Sequence, residues 1–330
     1  MSAVVTIVPS GRRFVVERGE PLLEAALRSG LALEFGCTNG TCGECRARVC
    51  AGEVRRIRHH DYVIRDADKR RGVVLLCCST ADGDVTIEAG EASGPDDIPE
   101  QHVRARLYRQ VRAGDGIDVV SLRLMRGKAL RFLAGQHVRV GLAGVEPADL
   151  SIASCPCDGL NIELHLVADD HGELGARAAA GFGKSDRFRV DGPRGRFVLD
   201  EDSTRPLLFV ACDAAIAPVK SIIEHAVNLE LTQPIHLHWH ATRASGHYLH
   251  NYFRSLRDAL DDFTYVEHDG RVTGATLGGL PELAGADVYL AGGDDFVAPA
   301  IELLRERGAF TERIFVDALS RRPRPSPRAD

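Results

Sequence analysis

GCTNGTCGEC, residues 36–45, packs three cysteines and three glycines into ten positions. A loop so dense in thiols is a metal or cluster ligand set, or one half of a disulfide framework, and the chain around it narrows the choice. The chain has 330 residues, too many for one ordinary core, so two or three domains are expected. Apolar residues make up 44% and charged residues 27%, as in soluble globular proteins. The net charge of −6 gives no reason to expect a nucleic-acid partner. The start, MSAVVTIVPSGRR, has no long apolar run, which argues against a signal peptide. No stretch approaches the roughly 18 apolar residues of a membrane span, so no membrane partner is expected. The expected location is cytoplasmic, where thiols stay reduced and clustered cysteines bind metal more often than they pair.

Nine cysteines fall at 37, 42, 45, 50, 77, 78, 155, 157 and 212. Cys37, Cys42 and Cys45 have C-x4-C-x2-C spacing, and the pair Cys77-Cys78 follows about thirty residues on, the arrangement of plant-type 2Fe–2S sites. Two irons need four thiolates, and one short loop can wrap only three of them around the cluster. Gly36, Gly40 and Gly43 allow tight turns and close backbone approach. The alternative is zinc, but structural zinc sites use two CxxC pairs or one pair plus histidines, and here the second half is a CC dipeptide. Cys50, on the strand RARVCAGEV, reads as a small buried hydrophobe. Upstream, VVTIVPSGRRFVVE alternates around Pro-Ser-Gly as a hairpin does, and EPLLEAALRSG has a helical period and a glycine stop.

Hairpin, helix, cysteine loop, strand and late cysteine together resemble the ferredoxin β-grasp domain over residues 1–90. The resemblance puts the fourth ligand at Cys77, after a Leu-x pair, and leaves Cys78 as a neighbour of the site. Residues 46–71 carry nine Arg/Lys against four acids, a local net of about +5. This is a solvated loop or a docking surface for an acidic protein partner.

EASGPDDIPEQ, residues 91–101, reads as a linker. Short alternating strands follow to about residue 202, a small β-barrel pattern, and then strands alternate with helices, which implies a parallel sheet. The last residues, 320–330, are Pro- and Arg-rich and read as a disordered tail. The order resembles the iron–sulfur flavoprotein reductases of bacterial oxygenases, built on the ferredoxin–NADP reductase module. The fold class expected is thus multidomain α+β and α/β. A β-grasp ferredoxin domain (1–90) precedes a six-stranded antiparallel FAD-binding-type barrel (102–202) and a parallel NAD(P)-binding-like α/β domain (203–319). DGPRGRF at 191–197 and IAP at 216–218 match landmarks of that family.

The resemblance implies a 2Fe–2S cluster, FAD and NAD(P)H as cofactors, and a protein electron acceptor. It places the flavin against Ser151, Ile152, Leu166 and the loop Gly172, Glu173, Leu174, Gly175. The chain departs from it at several points. The family's Arg-x-Tyr-Ser reads Ala148-Asp149-Leu150-Ser151, without the arginine and tyrosine. The nicotinamide loop Gly-Gly-Thr-Gly reads Cys212-Asp213-Ala214-Ala215, and its aspartate opposes phosphate. Phe315 falls too early to cover a flavin. A second possibility is therefore a redox-sensing or regulatory protein that has lost NAD(P)H oxidation. His236, His238 and His240 share one strand face and read as satisfied or rim histidines of an interior strand; Cys155-Pro156-Cys157 reads as a loop with two spare thiols; and Asp294-Asp295 reads as helix capping.

Overall fold

The computed structural model describes residues 2–60, 63–125, 128–277, 280 and 283–318. The tail expected at 320–330 lies outside them.

The first sheet joins β1 (Ala3–Val8), β2 (Arg13–Val16), β3 (Arg46–Ala51), β5 (Val73–Leu75) and β7 (Val85–Ala89) in the order β2-β1-β7-β3-β5. The small strands β4 (Val54–Arg56) and β6 (Ser79–Ala81) pair separately, and α2 (Asp66–Arg70) precedes β5. Helix α1 (Leu22–Arg28) crosses the sheet. Seven residues are too few for a stable isolated helix. What holds it is burial of Leu22, Leu23, Ala25 and Ala26, all at 0% exposure, with each leucine contributing about 2 kcal/mol. It ends as its sequence requires: Gly30 is left-handed (φ 77°), with Gly30 N–H donating to Leu27 O and Leu31 N–H to Ala26 O.

Six antiparallel strands follow: β8 (Gln101–Gly114), β9 (Ile117–Leu124), β10 (His137–Leu142), β11 (Val145–Ser151), β12 (Asn161–Val167) and β13 (Arg187–Arg194). Their order is β11-β10-β13-β8-β9-β12, and the two outer strands meet at one bridge, Ile152 to Leu164. Helix α3 (Gly172–Ala179) packs Leu174 and Ala178 into this sheet's core.

The last unit contains β14 (Leu207–Cys212), α4 (Ile216–Asn228), β15 (Ile235–Ala241), α5 (His250–Ala259), β16 (Phe263–Asp269), β17 (Asp287–Gly292), α6 (Asp294–Glu306) and β18 (Ile314–Ala318). All four strand pairings are parallel, in the order β16-β15-β14-β17-β18. The all-apolar LLFVAC of β14 is buried at every residue, as a central strand covered on both faces must be.

Two sequence expectations change here. Cys50 is exposed, not buried. The register of β3 against β7 shifts between Val49 and Ala51, so Cys50 is the extra residue of a bulge and turns outward. The linker is partly structured. Glu91 bridges to Leu33, and Ala92 N–H donates to Ala32 O at 2.9 Å, so its first residues continue the ferredoxin-like unit.

Candidate functional site

The sequence brings five thiols together. Leu76–Cys78 form a single tight turn between β5 and β6, and Leu76 N–H donates to Cys45 O at 2.9 Å, pinning the late cysteines under the loop. Cys45 Sγ lies 3.3 Å from Cys77 Sγ, and Cys42 N–H donates to Cys37 Sγ at 3.3 Å. Cys77 and Cys78 sulfurs are 3.6 Å apart. Gly40 is left-handed (φ 81°), and a Cβ there would lie 2.7 Å from Cys78 Sγ, so the loop closes over the thiols only because position 40 lacks a side chain. Arg46 braces the loop by donating to Gly43 O at 2.9 Å and to Val63 O at 2.5 Å.

The thiols fall into two pairs, Cys37 with Cys42 and Cys45 with Cys77. Two tetrahedral metal centres need this; two thiolates at ~2.3 Å from one metal lie about 3.7 Å apart. In each pair one sulfur is the better thiolate. Burial pushes the Cys37 thiol up, but the hydrogen bonds from Cys42 and the Asn39 backbone outweigh it and bring it down to about 6. Burial raises Cys42. The contact with Cys77 lowers Cys45, and the same contact together with burial raises Cys77. The donor set therefore fits a 2Fe–2S cluster: two pairs of closely placed sulfurs, with one member of each pair (Cys37, Cys45) inclined to lose its proton.

A cleft of about 1100 Å³ opens between β11, α3 and the C-terminal ends of β14 and β17. Gly172 and Glu173 line it. Ser151 is buried, and its hydroxyl donates to Asp317 at 3.3 Å. Ile152, Leu166 and Leu174 belong to the core of the antiparallel sheet, so a ligand could meet only their backbone. At Gly175 a Cβ would lie 2.4 Å from Val167 O, so glycine is required there by packing. Leu150, aligned with the family's tyrosine, also faces the core, opposite Val138. The outward residues of β11 are Asp149 and Ser151. Arg139, directly across on β10, donates to Asp149 at 3.2 Å. The motif comparison did not single out Arg139; the two-residue period of β10 was the signal that could have found it. Phe315 stacks on Tyr289 (centroids 4.7 Å apart) and does not reach over the cleft.

Charge sets what the cleft can hold. Its walls carry eight carboxylates against three arginines, a net of −5. Arg139 pairs with Asp149, Arg243 with Asp170, and Arg271 with Asp295. Asp213 occupies the nicotinamide-loop position in a left-handed conformation (φ 49°). It is held by Thr242 N–H (2.8 Å), Thr242 Oγ1 (2.5 Å) and Arg243 N–H (3.2 Å). The donors that would meet a nucleotide phosphate are thus committed to a carboxylate. These residues do not fit the phosphates of NADH or NADPH. The volume and the Gly172 backbone fit a flavin in shape; the three arginines on the walls that could meet its pyrophosphate are all ion-paired.

Residues 5–82 match the 2Fe-2S iron-sulfur cluster binding domain family. The chain is 28% identical over 333 residues to the CDP-6-deoxy-L-threo-D-glycero-4-hexulose-3-dehydrase reductase of Yersinia pseudotuberculosis, covering 96% of this chain and 98% of that one. It is 29% identical over 324 residues to the propane 2-monooxygenase reductase component of Rhodococcus jostii (92% and 87% covered). Among solved structures it superposes on the cytochrome P450 reductase of Amycolatopsis with a TM-score of 0.62 at 24% identity, covering 96% and 98%. The N-terminal part of the chain thus matches a 2Fe–2S ferredoxin-type domain, and the chain as a whole is similar to reductase components and shares their fold. In the reductase-like module the fold is kept while the nucleotide contacts are changed.

The basic stretch is also more committed than its composition suggests. Arg48, Arg55, Arg58, Lys69 and Arg71 each pair with a carboxylate, leaving Arg46, Arg56, Arg65 and Arg70 without an ion pair among the described residues, and Arg46 is engaged with backbone carbonyls. The strand histidines are only partly satisfied: His238 Nδ1 lies 2.9 Å from His268 Nε2 and His240 Nδ1 lies 3.1 Å from Gly270 O, but His240 Nε2 is buried with no hydrogen-bond partner among the described residues. No helix among the described residues is long and apolar enough to cross a membrane.

Proposed function

We propose that the chain is an electron-transfer flavoprotein. Electrons pass from a flavin in the cleft to a 2Fe–2S cluster on Cys37, Cys42, Cys45 and Cys77, and from there to a protein acceptor such as an oxygenase component. The paired thiols carry this reading. The reductase names of the relatives support it, and so does the order of the two units. The antiparallel strands would close as a barrel with the flavin ring against Ser151. Its phosphates would meet the Gly172–Gly175 backbone and Arg139. The acceptor would dock beside the cluster, with Arg56, Arg65 and Arg70 as the available cations. The ferredoxin-type unit would extend past 90 to include Glu91 and Ala92, with further limits near 101, 202 and 319, in a cytoplasmic protein.

A second reading has its own support. The Asp213 carboxylate and the acidic walls favour a protein that has lost NAD(P)H oxidation and reports redox state to a partner. Mixing the purified, flavin-loaded protein with NADH or NADPH and following cluster absorbance separates the two. Rapid bleaching with either nucleotide removes the regulator; bleaching by dithionite alone removes the NAD(P)H-driven reductase.

A further inference from the structure

Cys155-Pro156-Cys157 sits in the turn after Ser151, far along the chain from the cluster cysteines, yet it packs where the two units meet. Gly159 lies against Phe35, two residues before Cys37. Cys157 and Pro156 share a small cavity with Leu31 and Phe35 of the ferredoxin-type domain. The two thiols are not independent. Asn228 Nδ2 donates to both sulfurs, at 3.1 Å each, and Cys157 N–H donates to Cys155 Sγ at 3.3 Å. His225 Nδ1 lies 3.9 Å from Cys155 Sγ, while its Nε2 meets Glu201 at 2.9 Å. Glu201 in turn pairs with Arg12, in the hairpin of the ferredoxin-type domain, at 2.5 Å. One amide reaching two sulfurs places them side by side, and a chain of polar contacts ties them to the neighbouring unit.

We propose that Cys155 and Cys157 form a redox-switchable dithiol, oxidised by a peroxide to an intramolecular disulfide at the seam between the two units. Reach permits the bond. Residues two apart span at most about 7 Å when extended, and a turn shortens this into the disulfide range of about 4.4–6.8 Å. Access assigns the roles. Cys155 is buried and Cys157 is partly exposed, so Cys157 meets the oxidant and Cys155 resolves it. Contact with Cys155 favours the Cys157 thiolate, and that same contact and burial raise Cys155, as attacker and reserve thiol require. The Cys157 thiolate attacks one oxygen of hydrogen peroxide. The O–O bond breaks and the released hydroxide takes a proton to become water, leaving a sulfenic acid on Cys157. The Cys155 sulfur then attacks the Cys157 sulfur; the S–O bond breaks, and hydroxide leaves as water with the Cys155 proton. Two thiols and one peroxide give one disulfide and two waters. A ring closed across a single proline is strained, so the bond is of the labile, readily reduced kind.

The test uses the full-length holoprotein, treated with limiting hydrogen peroxide, alkylated with N-ethylmaleimide and mapped by peptide mass spectrometry. Cys50, exposed on its bulge, is the internal control thiol. The expected result is a 155–157 peptide lighter by two hydrogens and carrying no alkyl groups, while Cys50 is still alkylated. A thiol reductant should restore both alkylations. In Cys155→Ser, Cys157 should accumulate as a sulfenic acid that dimedone traps. Alkylation of both residues after peroxide, a sulfinic acid on Cys157 beside a free Cys155, or a zinc ion that blocks both until chelated would each overturn the proposal.

Discussion

Asp213→Gly probes the altered nucleotide loop directly. A unit charge about 5 Å from a phosphate, at an effective dielectric near 20, is worth about 3 kcal/mol. Arg243 Nε, 3.8 Å from Asp213 Oδ2, offsets roughly half of this, leaving about 1.5 kcal/mol, or close to tenfold in Kd. The same change removes the hydrogen bonds from Thr242 N–H, Thr242 Oγ1 and Arg243 N–H, at about 1 kcal/mol each. Glycine recovers about 1 kcal/mol by relaxing a residue held at φ 49°. The variant should therefore be about 2 kcal/mol less stable, bind NADH about ten times more tightly, and show faster NADH-driven cluster bleaching. Nucleotide fluorescence titration beside a thermal melt reads both. An unchanged or weaker NADH affinity in a variant that still folds would refute the electrostatic account of the loop.

Further expectations concern the cluster loop and the junction. Cys77→Ser should lose most of the iron, whereas Cys78→Ser should keep it with a shifted visible spectrum; equal loss in both would remove the assignment of the fourth ligand. Gly40→Ala places a Cβ 2.7 Å from Cys78 Sγ and 2.9 Å from His60 Cβ, at a left-handed φ that costs alanine about 1 kcal/mol before any clash. Iron content and melting temperature should both fall, and a variant with full iron and an unchanged melt counts against the packing described. Burial pushes Glu163 up, but His165 and Lys220 outweigh it and hold its carboxyl at about 2. A depressed carboxylate stabilises above its ordinary value of 4.5, and that contribution is lost as pH falls toward 2. With the side chain 26% exposed, Glu163→Gln should cost about 2 kcal/mol at pH 7, and the gap to the parent should narrow below pH 4.5 in circular-dichroism melts. A gap that is constant with pH would mean the loss is one of packing alone.

The cluster loop was legible because its chemistry is local: thiol spacing, glycines and a following strand are all written in neighbouring residues. The hairpin, α1 with its glycine stop, and the change from alternating strands to strand–helix units were legible for the same reason, being periodic signals. The fate of Cys50 was not, because a one-residue bulge depends on pairing between β3 and β7. Nor was the facing of Leu150 and Asp149. Register against β10 turns Leu150 into the core and sets Asp149 opposite Arg139, pairings that the motif comparison alone does not contain. The basic stretch illustrates a third limit. Its composition gives a net of about +5, but carboxylates at Glu24, Asp82 and Glu88, outside the stretch, take up three of its arginines. Cys155 and Cys157 read as spare thiols in the sequence, because the Asn228 that reaches both sulfurs comes from α4, some seventy residues on.

The measurement that bears most directly on the central claim is iron, inorganic sulfide and zinc in anaerobically purified protein, with electron paramagnetic resonance before and after dithionite. Paired ligation by Cys37 with Cys42 and Cys45 with Cys77 predicts two irons and two sulfides per chain, no zinc, and a signal that appears only on one-electron reduction. Stoichiometric zinc, or iron without sulfide, would contradict it.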